Sequence, residues 1–457
     1  MIKKILAILI VVCFAVSGCS QGGSNAPSDS GGSDISSIAA DTQTSAAKDD
    51  EITLKFLTMT NFVDYFTVAL EEYKKIHPNI TFVFEAYPFQ EMLQVIQLKM
   101  SAGDSTYDVF SVDSPLTQNY AYRGFLLPMD DYLTPEDKKA IVPSTIRSMS
   151  YDGKIYSAPM ATASQVIYYN KELFDQAGIP YLSSSIDDRL TWEQTVETSN
   201  ELMEKLNPNR DNGIWAFAFQ QIVSTYNVMP LVNSMGGYGV SDDGLKVEGI
   251  INSEPWIKAM KFYSDLFNTW RISPKEMDSN QIRSLFTSGK LAMMIGSVAI
   301  PQNNIQVDNP SLQWGYAPHP YFENGKVVTP TGTWHYGVNT ATKYADECMS
   351  FIHWVSWEEG SSIILNTGYA NVPCRYDQIE MLTNDTEGKY TGDKELYKLA
   401  VKEVTETAVP RPLTVGYSDW DSVMMTVFED IRNGADVESS LNQAVIEIQP
   451  LLDKYNQ

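Results

Sequence analysis

Two polar side chains come directly after segments whose alternating pattern predicts β-strands. Asn61 follows the alternating segment 52–56, and Asp113 follows the segment 107–112. In open parallel sheets, ligands bind outside the carboxyl ends of the strands. An amide donates or accepts hydrogen bonds and a carboxylate accepts them, so these two groups suit a polar ligand. The sequence therefore predicts a binding site at the end of a sheet.

Residue types that support catalysis or metal binding are scattered along the chain. No Cys-x-x-Cys pair, Gly-x-Ser-x-Gly motif or His-Glu-x-x-His motif occurs in the sequence. A glycosidase would need two carboxylates about 5–10 Å apart, and no motif places such a pair. We therefore expect no catalytic residue, no metal and no cofactor. Metal-ligand spacing is also absent among the four histidines, which are His77, His319, His335 and His353.

The elements that must position Asn61 and Asp113 alternate between two patterns. Apolar residues in 65–76 and 90–100 recur at helical spacing, and the segment 80–84 between them alternates as a strand does. Strand, helix, strand, helix, strand predicts a parallel sheet in an α/β fold. Further along, the patterns predict helices at 192–206, 255–270, 280–288, 345–357 and 419–432, and strands at 216–220 and 291–295.

The N-terminus has the pattern of an exported protein. Lys3 and Lys4 precede an uncharged apolar run over 5–16, and small residues lead from there to Cys19. A positive start, a short apolar run and small residues at the cut are typical of a secretory signal. The run is too short for a membrane span, which needs about 20 residues. The cysteine resembles the acylated residue of bacterial lipoproteins. We therefore expect a signal peptide over 1–18 and a lipid anchor on Cys19, at the extracytoplasmic face of the cell membrane.

Residues 19–50 differ in composition from the rest of the chain. They are mostly Ser, Gly, Asp, Ala, Thr and Gln, with almost no large apolar side chain. Such a segment buries too little surface to offset its ordering entropy. We expect a flexible tether that lets the folded body stand away from the membrane.

Charge and length limit the partners and the architecture of the body, residues 51–457. A formal net charge of −24 argues against binding to nucleic acid or to an anionic membrane surface, so the lipid is the expected membrane contact. The length suggests two lobes, because single cores stop growing beyond about 250–300 residues. Cys348 and Cys374 could pair as a disulfide in an exported protein, and the sequence leaves that pairing open.

Five short segments, in the order in which they occur, resemble the family 1 extracellular solute-binding proteins of ABC importers, which include maltose-binding protein. The segment 124–129 (GFLLPM) is similar to the family's approach to the end of the first lobe. The family's central signature resembles 151–159 (YDGKIYSAP), 168–174 (YYNKELF) and 177–180 (AGIP). A further block resembles 286–293 (FTSGKLAM).

This resemblance implies an α/β fold of the periplasmic-binding-protein type, with two lobes, a hinge and a ligand cleft between the lobes. By similarity, lobe 1 holds residues 51–161 and 334–374, and lobe 2 holds residues 162–333 and 375–457. The chain would cross between lobes near 161–164 and again near 331–333.

The function implied by the resemblance is capture of a carbohydrate, of oligosaccharide size, by a monomer that closes around it. The closed protein would deliver the sugar to the permease subunits of an ABC importer. Two alternatives remain open on the sequence. One is a surface-anchored carbohydrate-active hydrolase, and the other is a sugar sensor for a membrane kinase.

The resemblance also assigns sugar contacts, residue by residue. Asp113 would accept hydrogen bonds from paired hydroxyls, and Tyr226, Trp334 and Trp420 would cover the apolar faces of sugar rings. Arg411 would either contact the ligand or pair with an acid. The expected ligand-binding residues are thus Asn61, Asp113, Tyr226, Trp334, Arg411 and Trp420.

The sequence departs from the family pattern at two places. Val298 stands where members often have an aromatic residue, and Ala163 and Ser164 replace an acidic residue expected near the first crossover. One stacking platform is therefore missing, and a simple maltodextrin is not the expected ligand.

Overall fold

The computed structural model describes residues 51–367, 371–384 and 393–456. The expected signal peptide, the lipidation site Cys19 and the tether lie outside the described residues. The strands of the described ranges are β1 (Ile52–Met59), β2 (Ile80–Tyr87), β3 (Val109–Asp113), β4 (Ser150–Tyr151), β5 (Lys154–Ile155), β6 (Ala158–Ala163), β7 (Gln165–Asn170), β8 (Trp215–Phe219), β9 (Leu291–Ser297), β10 (Trp314–Pro318), β11 (Thr329–Val338) and β12 (Ala408–Pro410).

The helices of the same ranges alternate with these strands or pack outside them. In the described residues, no helix combines the length and the apolar composition that a membrane span requires. The helices are α1 (Val63–Ile76), α2 (Phe89–Ser101), α3 (Thr117–Tyr122), α4 (Pro135–Ala140), α5 (Pro143–Met149), α6 (Lys171–Ala177), α7 (Trp192–Leu206), α8 (Thr225–Ser234), α9 (Glu254–Asn268), α10 (Ser279–Thr287), α11 (Gln306–Asp308), α12 (Ala345–Trp357), α13 (Glu359–Asn366), α14 (Tyr376–Thr383), α15 (Lys394–Lys402), α16 (Tyr417–Arg432) and α17 (Val437–Asp453).

The strand–helix alternation predicted at the start of the body is confirmed. β1 pairs in parallel with β2 along all eight of its residues, and its other edge pairs in parallel with β3. α1 buries Phe66, Ala69 and Tyr73, because residues spaced by three and four share one side of a helix. The helix and strand predictions further along are also confirmed, with ends shifted by one or two residues.

α7 shows how local sequence sets one of these boundaries. The hydroxyl of Thr191 accepts a hydrogen bond from the backbone N–H of Gln194 at 3.1 Å. In return, the Gln194 side chain accepts one from the Thr191 backbone N–H at 2.9 Å. This reciprocal pair satisfies two backbone donors that a helix start leaves without partners, so the helix begins at Trp192.

Among the described residues, the first sheet holds six strands in the order β12-β11-β3-β1-β2, with β6 also paired to β11. β11 runs antiparallel to β3 and β6 and parallel to β12. One long strand therefore contacts three partners, and its register places Trp334 opposite Asp113.

The second sheet has the order β10-β7-β9-β8, and two segments connect it to the first sheet. Ser164 alone separates β6 of the first sheet from β7 of the second, within the range 161–164 where the first crossover is expected. The second connection is the segment 319–328, between β10 and β11. Residues 331–333, where the second crossover is expected, lie within β11. The predicted lobe boundaries stay predictions.

One face of the first sheet has a hydrophobic cluster of its own, and a larger cluster includes residues of the opposite face together with those of the second sheet. Around the first sheet, Phe56 packs against Phe66 with ring centroids 5.0 Å apart, within a cluster that includes α12. Around the second, Trp192 meets Phe217 edge-on at 6.0 Å. Aromatic pairs in such offset and edge-on arrangements add stability beyond their buried area.

Trp420 belongs to the core around the second sheet, which departs from its expected position on a cleft wall. Its side chain is fully buried, and its indole N–H donates to the backbone oxygen of Gly239 at 3.0 Å. One face of the indole stacks on Tyr417, with ring centroids 6.2 Å apart. The indole also packs closely against Gly239, since a Cβ placed on that glycine would lie 3.1 Å from the indole. Tryptophans that line a cleft and tryptophans in a core occur at the same helical spacing, so the sequence could not separate the two roles.

Cys348 and Cys374 are both buried and free, so the disulfide left open by the sequence is not formed in this structure. Burial raises the pKa of the Cys348 thiol well above its ordinary range and that of Cys374 to about 12. Because the thiolate is the reactive form, both groups are expected to be unreactive in the folded protein.

For the protein expressed from Ser20 onward, alkylation in denaturant without reductant should modify both Cys348 and Cys374. Both thiols are free, so unfolding exposes them without any bond to reduce. Mass spectrometry should show two added alkyl groups after denaturation and far slower addition to the native protein, where both are buried. An unmodified denatured chain, two mass units lighter than the dithiol, would contradict the structure.

Trp420→Ala should lower the free energy of unfolding by about 3–5 kcal/mol, the usual loss when a buried Trp is truncated in a core. The matched control is Trp334→Ala, because Trp334 is only half-buried and should lose clearly less. Urea unfolding followed by circular dichroism measures both variants. Equal losses for the two would show that Trp420 does not have the core position described here.

Candidate functional site

Three of the expected ligand-binding residues lie at one end of the first sheet. Asp113 is the last residue of β3, and Asn61 lies in the exposed turn that follows β1. Trp334 lies directly opposite Asp113 in the antiparallel neighbour β11. Residues opposite each other share a face of the sheet, with Cβ atoms about 4.5–5.5 Å apart. The carboxyl end of the sheet thus carries an amide, a carboxylate and an indole together.

Asp113 is held by Arg411, which reaches it from the segment between β12 and α16. Arg411 Nη1 donates to Asp113 Oδ2 at 2.9 Å, and Nη2 donates to Oδ1. The side chains are 14% and 7% exposed, respectively. Of the two roles that the sequence left open for Arg411, the structure shows the ion pair with an acid. Bidentate pairs of this kind are strong and fix the orientation of both planar groups.

Two tyrosine rings flank the Arg411 guanidinium. Its central carbon lies 5.7 Å from the Tyr226 ring centroid and 5.9 Å from that of Tyr417, within the usual range of a cation–π contact. Burial alone would lower the pKa of Arg411, but the Asp113 carboxylate outweighs burial and raises it above its ordinary value. Burial raises the pKa of both tyrosines. The guanidinium therefore stays charged between two neutral rings.

Tyr226 is positioned by the start of α8 and by the close approach of β11. The hydroxyl of Ser224 accepts a hydrogen bond from the Tyr226 backbone N–H at 3.3 Å. On its other side the ring lies against Gly332, where a Cβ would come within 2.9 Å of a ring carbon. Glycine is therefore needed at 332 for the ring to reach this place, and a larger residue would displace Tyr226 from Arg411.

Gln165, the first residue of β7, joins the site at its base. Its side chain acts to lower the Tyr226 pKa, against the larger effect of burial. The Asn227 amide donates to Gln165 Oε1 at 3.3 Å. The residue that directly follows Ser164 thus acts on the same tyrosine that flanks Arg411.

A second carboxylate, Asp421, lies behind Arg411 on α16. Its Oδ1 accepts hydrogen bonds from the Thr225 hydroxyl at 2.6 Å and from the Tyr417 hydroxyl at 3.0 Å. Burial raises the pKa of Asp421, although these hydroxyls and Arg411 act to lower it. Nowhere in the described residues do three or more His, Cys, Asp or Glu side chains form a group able to hold a metal.

Trp334 extends the site along an aromatic surface. Its ring meets Phe62 edge-on at 5.3 Å and Phe89 edge-on at 5.7 Å. Phe62 is buried, Trp334 is half-buried and Phe89 is 37% exposed, so the surface runs from the core outwards. Asn61 is the neighbour of Phe62 in the same turn and is exposed beside it.

The structure therefore brings Asp113, Arg411 and Tyr226 together, with Trp334 and Asn61 on the adjacent sheet end. Trp420 is separated from the ligand-accessible side by its burial. Sequence reasoning missed several members of the site, some of which had a usable signal. Tyr417 and Asp421 are four residues apart on α16, and this helical spacing could have linked them. Nothing in the sequence distinguishes the others. The missed residues are Phe62, Phe89, Gln165, Tyr417 and Asp421.

A separate cavity of 180 Å³ lies away from this site. It is lined by α5, by Tyr376 and by the segment that follows α15, and it includes Arg147 and Glu406. It shares no residue with the Asp113–Arg411 group. Charges of both signs and a single aromatic ring line it, and we assign it no ligand.

Comparison with known proteins agrees with this architecture. The family described as "Bacterial extracellular solute-binding protein" matches residues 59–360. The maltodextrin-binding protein MdxE of Bacillus subtilis is 22% identical over 429 residues, which cover 90% of this chain and 93% of that protein. A binding protein of Brucella abortus is 24% identical over 263 residues, which cover 56% of this chain and 59% of that relative's length.

A solved structure shows the same fold. The ABC substrate-binding protein Lmo0181 from Listeria monocytogenes, in complex with cycloalternan, aligns with a TM-score of 0.74 at 19% identity. The alignment covers 89% of this chain and 99% of that one. The expected two-lobed α/β fold is therefore confirmed. Because the family match spans well over half of the chain, this protein belongs to the bacterial extracellular solute-binding proteins.

Proposed function

We propose that this protein is a lipid-anchored, extracytoplasmic substrate-binding protein that captures an oligosaccharide for an ABC importer. The observation that carries the proposal is the placement of Trp334 beside Asp113, with Tyr226 and Arg411 facing them. The names of relatives support it, since one is a maltodextrin-binding protein and a structural neighbour is in complex with cycloalternan.

The chemistry of this group suits a sugar ring, which has apolar C–H faces and a rim of hydroxyls. The half-buried indole of Trp334 offers a surface for a C–H face. A carboxylate has roughly four acceptor positions, and a bidentate arginine uses two of them. Asp113 thus keeps acceptor positions for paired hydroxyls while Arg411 fixes its orientation.

Closure of two lobes is the proposed mode of capture. Asp113 and Trp334 belong to the first sheet, whereas Tyr226 starts α8 and Arg411 precedes α16, both near the second core. In the proposal, lobe 1 holds 51–161 and 334–374, and lobe 2 holds the remainder of the body. A ligand that contacts residues of both lobes stabilises the closed form, and the closed form docks on the permease.

Binding is better supported than hydrolysis or sensing. The two carboxylates of the site are engaged by Arg411 and by the hydroxyls of Thr225 and Tyr417, which favours fixed hydrogen-bonding roles. The relatives compared above are named as binding proteins. A role as a sensor for a membrane kinase would use the same site, and no feature of the structure favours it.

A thermal-shift screen followed by calorimetry tests the proposed function. The panel contains malto-, galacto-, manno- and arabino-oligosaccharides of two to six units. A ligand bound only to the native state adds about 2.7 kcal/mol of stability at a hundredfold excess over Kd, so a true ligand should raise the melting temperature clearly. If no saccharide raises it, the proposed ligand class is wrong.

Trp334→Ala should weaken binding of the best saccharide by about 2 kcal/mol, near the usual threshold for a binding hot spot. That is roughly thirtyfold in Kd, at 1.4 kcal/mol per factor of ten. The matched control is Trp270→Ala, because Trp270 is also half-buried but packs on Phe262, away from the site. Unchanged affinity in Trp334→Ala, with both variants folded, would remove Trp334 from the site.

Cys19→Ala should release the protein from the membrane fraction, because the proposed lipid is attached to that thiol. The matched control is Cys13→Ala, since Cys13 lies within the apolar run that the signal peptidase removes. Fractionation and metabolic labelling with a fatty acid measure both variants. Membrane retention and labelling of Cys19→Ala at the level of the control would show that the anchor lies elsewhere.

A further inference from the structure

Arg411 places a positive charge at the centre of the proposed site, and that charge is already compensated. Both Nη atoms donate to the two oxygens of Asp113, and the two side chains are 14% and 7% exposed. Arg411 Nε is buried and has no hydrogen-bond partner. The pair uses two of the five N–H groups of the guanidinium. It thus leaves three N–H donors, Nε–H among them, and the spare acceptor positions of a carboxylate, but no unpaired positive charge.

The other groups around Arg411 do not restore a positive charge. Tyr226 of α8 and Tyr417 of α16 face it with neutral rings. Asp421 of α16 is a second carboxylate that acts on Arg411. With both carboxylates ionised, the group carries a net charge of −1, and with Asp421 protonated it carries none. In neither state does the site offer a cation to an acidic ligand.

A carboxylate on the ligand would therefore meet a penalty that a hydroxyl does not. To take the positions on both Nη atoms that Asp113 occupies, it would have to displace Asp113, which would leave that buried carboxylate without its partner. If it did not displace Asp113, it would lie against a like charge in poorly hydrated surroundings. A hydroxyl can instead donate to Asp113 and accept from an N–H of Arg411 that the pair leaves unused, with no charge transferred from water.

We propose that the Asp113–Arg411 pair makes this site selective for uncharged saccharides and excludes saccharides that carry a carboxylate, such as uronates. The inference rests on the proposed function and names the class of substrate that the site accepts. Asp113 and Arg411 are its specificity determinants, because each cancels the charge of the other while keeping hydrogen-bonding capacity for neutral hydroxyls.

Calorimetric titration with matched neutral and acidic saccharides tests the inference. The probes are maltotriose, galactotriose and mannotriose, each also in a form oxidised to a uronate at C6. In the wild-type protein, the uronate form of the trisaccharide that binds best should bind at least tenfold more weakly than its neutral form. A uronate that binds within threefold of its neutral counterpart would overturn the inference and leave the proposed function intact.

Asp113→Asn tests the role of the pair directly, because it keeps the shape of the side chain and removes the carboxylate that pairs with Arg411, so the net charge of the group rises by one. The Kd of the uronate should fall at least tenfold in this variant, while the neutral form binds more weakly than to the wild type. If the folded variant shows no gain in uronate affinity, the inference is wrong.

Two further variants separate the pair from general effects of charge. Asp113→Asn combined with Arg411→Gln restores the net charge of the wild-type group, and the uronate affinity should return to the wild-type value. Glu254→Gln removes a carboxylate from an exposed pair with Lys258, so it matches the change in net charge, and its uronate affinity should equal that of the wild type. A gain in Glu254→Gln as large as that in Asp113→Asn would contradict the local explanation.

The melting temperature of each unliganded variant is measured first. If Asp113→Asn is too unstable to titrate, the ratio of the uronate Kd to the neutral Kd in the wild-type protein still decides the inference. If no saccharide binds, neutral or acidic, the proposed function fails and the inference fails with it.

Discussion

The position of β11 determines the geometry of the site, and a sealed ion pair holds the start of that strand. Glu403 accepts hydrogen bonds from Arg189 at 2.7 and 3.0 Å, and the two side chains are 0% and 5% exposed. The same carboxylate accepts a hydrogen bond at 2.6 Å from the hydroxyl of Thr329, the first residue of β11. Loss of either charge would leave the other buried without a partner, a strongly destabilising state. The ion pair therefore fixes the first residue of β11, the strand whose register places Trp334 beside Asp113.

Two buried arginine–carboxylate pairs in the described part of the chain differ in their access to solvent. The Arg189–Glu403 pair is enclosed, and its carboxylate also accepts hydrogen bonds from Thr329 and Thr407, so its role is to hold strands and connecting segments together. The Asp113–Arg411 pair lies at the end of the sheet, is partly exposed, and keeps an unused donor. An arginine–carboxylate pair thus stabilises the fold where it is enclosed, and it is available for the proposed ligand recognition where it is partly exposed.

The parts of the fold that the sequence predicted are those set by local pattern. Period-two strands and helical faces in 52–112 led correctly to a parallel sheet, and this alone placed Asn61 and Asp113 at its end. The partner of Asp113 could not be predicted in this way, because 298 residues separate it from Arg411 and their contact depends on the packing of both halves. Trp420 shows the opposite error, since helical spacing cannot say which side of a helix faces a cleft.

The single residue between β6 and β7 restricts how the two sheets can move. The other connection described above, 319–328, is longer and can change its end-to-end distance, whereas Ser164 cannot. Any relative displacement must keep the ends of β6 and β7 adjacent, so it is a rotation about a pivot near Ser164 and not a translation. Gln165 lies at that pivot, and its side chain acts on the pKa of Tyr226. Groups near a pivot travel least during rotation, so the base of the site should keep its geometry while its outer aromatic rim opens and closes.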